Sequence, residues 1–569
     1  MDRRVLGAIV LMMLIAVLPT VFFRRPPRPP LPAADSVSGA AAPAEIPQAA
    51  DPAPPIPAQA PDTSGAAPER VIPVTGPLYR YGISSRGGRL VEATLLEYPS
   101  LVPGSGKQPG QILLAPSDVL GLELLEGRDT LAIRDWDFVP SADAVTLAGG
   151  PASLVLTAER AGRTIVLTYR FRPDGYLIEV DGRVSGVGPN GGALLIGMGP
   201  GLRNTESDSV EHQRNLGIVT KARGETEQTR FSSLDQGVTA QMSGPFEWVA
   251  IKSKYFVTAL FAVDTLDLGY SGRIVGVEAR PSDTRRRPAE AAVHASLALP
   301  ATGAFRFSFY AGPMEYPRLR ATGHDFYDVN PYGWPGFRTV IRPVAVAGRW
   351  LLVFMHERLG LAYGLALIVF GVLVRLALWP LNQKAMRSSM AMQAVQPLMK
   401  DLQERHKNDP QKLQQEMFKL YKEHNVNPLG GCWPMLIPMP VLIALFFVFQ
   451  NTIELRGAPF LWLNDLSRPD PIYIIPVLMG LSMYVVSKIG QLGMPPTPQT
   501  KMMLYLMPGM MTVLFLKFAS GLNLYYTIQN LASIPQQWLL AKERVRRNPP
   551  QVAATKPAAA KPTGGKKRK

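Results

Sequence analysis

Residues 359–381 read Leu359-Gly-Leu-Ala-Tyr-Gly-Leu-Ala-Leu-Ile-Val-Phe-Gly-Val-Leu-Val-Arg375-Leu-Ala-Leu-Trp379-Pro-Leu381. Apart from Arg375 the run carries no charge, and it is long enough to span a bilayer as a helix, which needs about 20 residues. A charge at that depth costs about 2.5–3.5 kcal/mol on insertion scales. Arg375 therefore snorkels to the interface, pairs with another group or faces water. The last two alternatives would make it a functional residue.

Five other apolar segments predict further membrane spans, which gives six in all. One lies at the N-terminus, within residues 1–23, and four follow Arg375, at about 430–451, 471–489, 502–518 and 521–540. The N-terminal run of about 19 residues is longer than the roughly 7–15 of a signal-peptide core, so we interpret it as an uncleaved signal anchor.

The distribution of basic residues predicts the orientation of these spans. Eight Lys and Arg residues lie in the segment 382–428, and ten lie in the tail 541–569. Because cytoplasmic loops carry the excess of Lys and Arg, we expect both chain ends to be cytoplasmic. The region between the anchor and the second span then lies outside the cytoplasm. The tail itself is typical of a disordered segment that binds anionic lipid or RNA.

The residues between the anchor and the second span form two regions, for which the sequence predicts different structures. Residues 24–70 are rich in Pro and Ala and read as a disordered linker. Residues 71–320 have the sequence pattern of short strands. As an example, apolar residues alternate with other residues at Ile165, Leu167, Tyr169 and Phe171. Such alternation with Gly, Pro and Asp turns indicates a β-sandwich. The single cysteine, Cys432, allows no disulfide within the chain.

Helical periodicity then predicts two amphipathic elements. Residues 337–358 place Arg338, Arg342 and Arg349 opposite an apolar stripe, which is typical of a helix in the membrane interface. Residues 382–428 predict a helical hairpin, with Asp409 capping a helix that begins at Pro410. Its seam is rich in methionine. It either packs on itself or offers a surface to hydrophobic clients, because methionine adapts to varied apolar partners. The methionines concerned are Met386, Met390, Met399 and Met417.

The last two spans carry polar side chains that lipid does not favour. Asn523, Thr527, Gln529 and Asn530 either bond between helices or line a water-filled cavity. The predicted spans contain no Asp or Glu, which argues against a proton-coupled or sodium-coupled transporter. We find no catalytic motif and no Cys/His cluster, so we expect neither an enzyme nor a cofactor nor a metal.

Several ordered motifs resemble the YidC/Oxa/Alb family of membrane-protein insertases. The local strings are Val374-Arg375-Leu-Ala-Leu-Trp-Pro380-Leu381, Asn427-Pro-Leu-Gly-Gly-Cys-Trp-Pro434, Ile453-Glu-Leu-Arg-Gly-Ala-Pro-Phe460, Ser520-Gly-Leu-Asn-Leu-Tyr-Tyr526 and Tyr310-Ala-Gly-Pro313. The resemblance covers nearly the whole chain and is strongest from 359 to 545. It implies a polytopic α-helical membrane protein with six transmembrane helices, five of them forming an insertase core at 359–540. It also implies a periplasmic all-β supersandwich domain and a cytoplasmic helical hairpin.

The resemblance also implies a site and partners. The core spans would enclose a hydrophilic groove that opens to the cytoplasm and to lipid. Arg375 would sit in the groove, and Tyr526 would contact the substrate. A threonine common one turn before the arginine is replaced by Gly371. The expected partners are nascent membrane proteins, membrane lipids, the ribosome at the basic tail and hairpin, and the Sec translocon with its accessory subunits.

Two other functions use the same features. A small-molecule transporter would use the polar cavity, and a periplasmic glycan-binding membrane protein would use the β domain. Deleting about 76–300 would abolish a glycan-binding function, whereas an insertase would largely tolerate that deletion.

Overall fold

The structure is a computed structural model. It describes residues 68–106, 108–127, 129–235, 239–242, 244–262, 290–330, 332, 337–383, 395, 398–399, 401–407, 409–424, 439–492 and 498–547. The predicted signal anchor, nearly all of the linker and the tail beyond residue 547 lie outside this part of the chain, as do Met386, Met390 and Cys432.

The first half of the described chain is built from strands. Those strands are β1 Val71–Thr75, β2 Tyr79–Ser84, β3 Leu90–Pro99, β4 Pro109–Gln111, β5 Leu122–Glu126, β6 Asp129–Ala132, β7 Val139–Pro140, β8 Val145–Thr146, β9 Ala152–Arg160, β10 Arg163–Phe171, β11 Leu177–Val184, β12 Gly192–Gly197, β13 Gly217–Ala222, β14 Glu225–Arg230, β15 Trp248–Lys252, β16 Phe256–Ala262, β17 His294–Leu299 and β18 Ala304–Pro313. They form a nine-stranded sheet in the order β14-β13-β15-β16-β18-β11-β10-β9-β7. A five-stranded sheet, β4-β3-β2-β1-β8, and a four-stranded sheet, β17-β12-β5-β6, complete the domain.

The strand pairing follows the alternation in the sequence. In β10 the residues Ile165, Leu167, Tyr169 and Phe171 are buried, and the strand pairs antiparallel with β11 through a register that sets Tyr169 opposite Val180. One face of the pair therefore points into the core, because successive side chains of a strand point to opposite faces. The strand that this alternation predicted is confirmed, together with its buried face.

Tyrosine side chains bind the sheets to one another inside a shared apolar core. Tyr81 on β2 donates to the carbonyl of Ala311 on β18 at 2.7 Å. Tyr169 on β10 donates to the carbonyl of Gly88 at 2.7 Å. Each ring buries a large apolar area while its hydroxyl is satisfied, so the core carries no penalty for these polar atoms. The predicted β-sandwich class is thus the architecture of this domain.

Two buried lysines hold the segment that leaves the β domain. Lys221 on β13 forms an ion pair with Asp325 at 2.9 Å, and Lys252 on β15 donates to Asn330 Oδ1 at 2.9 Å. Asp328 in the same segment faces Arg342 at 3.7 Å. Because these partners lie on the β domain and on the helix after it, the exit segment joins the two parts of the chain.

Lys252 makes the stability of this junction depend on pH. Burial, with a smaller contribution from the charge of Arg230, lowers the pKa of Lys252 to about 8. Between pH 8 and about 10.5 the unfolded chain holds a proton that the folded chain lacks, so stability rises with pH through this window. The free energy of unfolding increases by about 3 kcal/mol across this window. Thermal unfolding of wild type and Lys252→Met at several pH values measures this increase. A difference in stability between the two proteins that does not change with pH would contradict it.

The second half of the described chain is helical. Its helices are α2 Tyr316–Thr322, α3 Arg338–Glu357, α4 Tyr363–Ala377, α5 Pro410–Glu423, α6 Met439–Asn451, α7 Ile474–Gly490, α8 Pro498–Phe515 and α9 Ser520–Arg547, while α1 Ser209–Asn215 lies within the β domain. Helix α9 packs along α7 and α4, and α3 packs along α6. Within the described ranges, no helix combines the length and the apolar character that crossing a membrane requires.

Two sequence predictions about local helical structure have different outcomes. The side chain of Asp409 accepts from the backbone N–H of Lys412, which confirms the cap before Pro410. The prediction that Arg349 lies on the exposed polar face of α3 is wrong. Arg349 is buried and forms an ion pair with Glu454 of the segment after α6. Its partner is 105 residues away in sequence, so periodicity within the helix could not reveal it.

The segment 452–470, between α6 and α7, fastens the helices to the β domain. Arg456 donates from Nε to both carboxylate oxygens of Glu206, at 2.9 and 3.1 Å. Its Nη1 and Nη2 reach the carbonyls of Pro99 and Thr205 at 2.9 and 3.0 Å. All five donor N–H groups of an arginine lie in one planar fork, so a single side chain can hold several acceptors at once.

Candidate functional site

A polar cavity of about 250 Å³ lies among α4, α6, α7 and α9. The residues that line it are Arg375, Leu378, Asn382, Val441, Leu442, Val486, Tyr525, Tyr526, Gln529, Asn530, Ser533 and Gln537. Three of these helices, α4, α6 and α7, are strongly apolar, so this concentration of amides and hydroxyls stands apart from them. Of the lining residues that the structure describes, Arg375 alone carries a charge. The cavity is therefore suited to a polar or anionic group.

Arg375 lies in the last turn of α4 and is half-buried. Its Nη2 donates to Gln536 Oε1 at 2.7 Å, while its buried Nε has no hydrogen-bond partner among the described residues. The described part of the chain offers it no carboxylate. Its charge is therefore uncompensated within that part, and the N–H groups other than the buried Nε can donate to an arriving acceptor.

One face of α9 supplies most of the polar lining. Gln529 donates to the hydroxyl of Tyr525 at 2.8 Å and to the carbonyl of Gly371 at 3.2 Å. Asn530 donates to Ser482 Oγ on α7 at 3.0 Å. The sequence left open whether such side chains form hydrogen bonds between helices or line a cavity. Gln529 and Asn530 do both.

Tyr526 presents an aromatic surface at the cavity. Its ring packs edge-on against Phe515 of α8 at 5.3 Å and against Tyr525 at 5.5 Å between ring centroids. Aromatic pairs in this geometry are stable and hold both rings in place. A fixed tyrosine beside polar groups can contact an apolar segment and a polar one at the same time.

Three predicted site residues lie away from the cavity lining. Asn523 donates to the carbonyls of Phe515 and Phe518 and so closes the end of α8. Thr527 donates to the carbonyl of Asn523 one turn earlier in α9. Gly371 lies where α4 and α9 approach each other. The roles of all seven predicted groove residues in substrate contact stay predictions.

The close approach at Gly371 predicts the effect of the family's threonine. A Cβ atom there would lie 3.0 Å from Ile528 Cγ2 and 3.4 Å from Ile528 Cβ. We expect Gly371→Thr to separate α4 from α9 and to cost about 1–3 kcal/mol of stability. Adding Ile528→Ala should recover much of the loss in thermal unfolding. Gly509→Thr, in α8 where nothing lies within 4 Å, is the matched control.

The described part of the hairpin packs on itself. Val395 and Leu420 are buried, and Met399 and Leu402 pack against them. The hydroxyl of Tyr421 contacts Met399 Sδ at 3.6 Å. Met417 is half-buried, and Phe418 beside it is exposed. These contacts favour the self-packed alternative for Met399, while a client-facing role for the seam stays a prediction.

Sequence reasoning missed four polar residues near Arg375: Asn382, Ser533, Gln536 and Gln537. Ser533, Gln536 and Gln537 follow Gln529 and Asn530 at helical spacing on α9. A count of polar residues at intervals of three and four along that helix would have found them. Asn382 lies at the end of the apolar run, where a polar residue is ordinary.

Fold and cavity define a two-part protein, in which a β-sandwich precedes a bundle of apolar helices around one arginine-bearing cavity. The chain is 31% identical over 536 residues to the membrane protein insertase YidC of Chlorobaculum tepidum, covering 88% of this chain and 87% of that protein. It is 32% identical to the membrane protein insertase YidC of Anaeromyxobacter sp., covering 84% and 85%. The chain belongs to the YidC family of membrane protein insertases.

Two family profiles agree with this assignment. The profile described as YidC periplasmic domain matches residues 71–343, and the profile described as 60Kd inner membrane protein matches residues 354–547. The family is thus one of inner-membrane insertases, and its curated members are named as insertases rather than as enzymes. An active YidC insertase crystal structure is similar at 17% identity and a TM-score of 0.33, covering 83% of this chain and 93% of that one.

Proposed function

We propose that this protein inserts nascent inner-membrane proteins, and helps them fold, through the cavity beside Arg375. The observation that carries the proposal is an arginine, with no carboxylate partner among the described residues, in a cavity that polar side chains line between largely apolar helices. In this proposal the segments 1–23, 359–381, 430–451, 471–489, 502–518 and 521–540 span the bilayer. Both chain ends and the hairpin 382–428 are cytoplasmic, and residues 71–320 form the periplasmic domain.

The chemistry of the cavity supports a division of labour between two residues. Insertion requires a short polar segment of the client to cross the membrane. A water-filled groove that extends partway through the bilayer lowers the free-energy barrier to that step. Arg375 attracts acidic residues or the polar terminus of the client, because charge-assisted hydrogen bonds are about twice as strong as neutral ones. Tyr526 and nearby apolar side chains contact the client's apolar helix. Burial of that helix in lipid then drives the step.

The surface features support the remaining partners. The basic tail and the hairpin suit the ribosome, whose RNA is anionic. The exposed apolar residues of α3, among them Trp350 and Phe354, suit membrane lipids at the outer interface. We propose that the protein works alone or beside the Sec translocon and its accessory subunits.

Photo-crosslinking tests the proposal directly. A photoreactive residue at position 526 should crosslink to the ribosome-bound nascent chain of a single-span membrane protein. The same residue at position 513, which is an exposed valine on α8 outside the cavity lining, is the control. Equal crosslinking from both positions would contradict a client path through the cavity.

Deleting about 76–300 separates this proposal from a glycan-binding function. We expect insertion to be largely retained after the deletion, because every lining residue that the structure describes lies between 375 and 537, outside the deleted segment. The transporter alternative predicts solute flux in vesicles without a nascent chain, and the family comparisons do not favour it.

A further inference from the structure

Gln536 on α9 is buried and contacts Arg375 across the bundle. Its Oε1 accepts from Arg375 Nη2 at 2.7 Å, and its Nε2 donates to the carbonyl of Trp379 at 2.9 Å. Its side chain is 1% exposed. It therefore joins α9 to the last turn of α4, at the place where the guanidinium enters the cavity.

The two partners of Gln536 determine the orientation of its amide. A guanidinium has only donors, and a backbone carbonyl only accepts. The amide oxygen must therefore face Arg375, and the amide nitrogen must face Trp379. The opposite orientation would set donor against donor and acceptor against acceptor, so this one is the arrangement that both neighbours allow.

We propose that Gln536 is the positioning residue for Arg375, and that its neutrality sets the selectivity of the cavity for acidic clients. This inference rests on the proposed function. An amide accepts one hydrogen bond and holds the guanidinium at the cavity wall, yet it leaves the positive charge uncompensated. A glutamate in its place would accept the same bond and would neutralise the arginine, but it would lose the hydrogen bond to the carbonyl of Trp379.

The bonding pattern on Arg375 agrees with this role. The contact with Gln536 uses Nη2, while Nε is buried without a partner among the described residues. A fixed guanidinium can present its Nη atoms to a carboxylate, which accepts two parallel hydrogen bonds from an arginine. Without the amide, the long side chain would lose its fixed acceptor and would sample other rotamers.

The test compares two clients in vesicles that contain the full-length protein. One is a single-span test protein with several Asp and Glu residues in its outer tail, and the other carries Asn and Gln at those positions. The readout is the ratio of insertion of the acidic client to that of the neutral client. We expect Gln536→Glu to lower the ratio about tenfold, because the carboxylate neutralises the charge that attracts the acidic client. Gln536→Leu should lower it about threefold.

Two controls separate the inference from the proposed function. Gln491→Leu removes the glutamine that directly follows α7 and donates to the carbonyl of Thr500. Gln491 is not part of the cavity lining, so this variant should leave the ratio unchanged. If Arg375→Ala lowers the ratio but both Gln536 variants leave it unchanged, the inference is overturned and the proposed function stands. Equal loss of both clients in the Gln536 variants would also overturn it, because that is the effect of a merely structural residue. An unchanged ratio in Arg375→Ala overturns the proposed role of Arg375 itself.

Discussion

Arg375→Ala should reduce the insertion of single-span clients with acidic outer tails by at least tenfold. The substitution removes the charged residue that the described cavity lining contains, together with its free donors. Loss of one charge-assisted hydrogen bond corresponds to roughly 1.5–3 kcal/mol, and 1.4 kcal/mol is a factor of ten. The measurement is protease accessibility of the client's outer tail after insertion into vesicles that contain the variant.

Arg375→Lys is the matched control, because lysine keeps the charge and loses the planar fork. Retained insertion in this variant would show that charge is required and guanidinium geometry is not. The alanine variant must first be shown to unfold within a few degrees of wild type, since Gln536 loses its donor there. Normal insertion of acidic clients by a folded Arg375→Ala protein would remove Arg375 from the mechanism.

Sequence patterns predicted the local structure because strands, helices and caps depend on residues that are close together in the sequence. Alternation in β10 predicted both the strand and its buried face, and the cap at Asp409 was visible from four adjacent residues. Arg375 was found for a related reason: one charge in an apolar run is detectable without any partner. Each of these features lies within one continuous stretch of the sequence, the longest being residues 359–381.

Pairs that are distant in sequence could not be predicted in the same way. Gln536 is 161 residues from Arg375, and Glu206 is 250 residues from Arg456. Which polar residues of α9 face the cavity depends on how that helix is rotated against α4 and α7. That rotation is set by packing at positions such as Gly371. The sequence identified polar residues in α9, but only some of them line the cavity.

Two ion pairs place segment 452–470 between the β domain and the helices. Arg456 reaches Glu206 and two backbone carbonyls of the β domain, and its side chain is 3% exposed. Nearby, Glu454 of the same segment pairs with Arg349 of α3. A buried pair in water-free surroundings contributes little net stability, but removal of one partner leaves the other charge without compensation.

Arg456→Ala should therefore destabilise the full-length protein by about 3–5 kcal/mol. Thermal unfolding in detergent and limited proteolysis of the β domain measure the loss. Arg468→Ala, an exposed arginine of the same segment, is the control and should change either measurement little. Adding Glu206→Gln should recover part of the loss, because the orphaned carboxylate is then neutral. Equal unfolding temperatures of the Arg456→Ala and Arg468→Ala proteins would show that the contacts of Arg456 do not hold the β domain and the helices together.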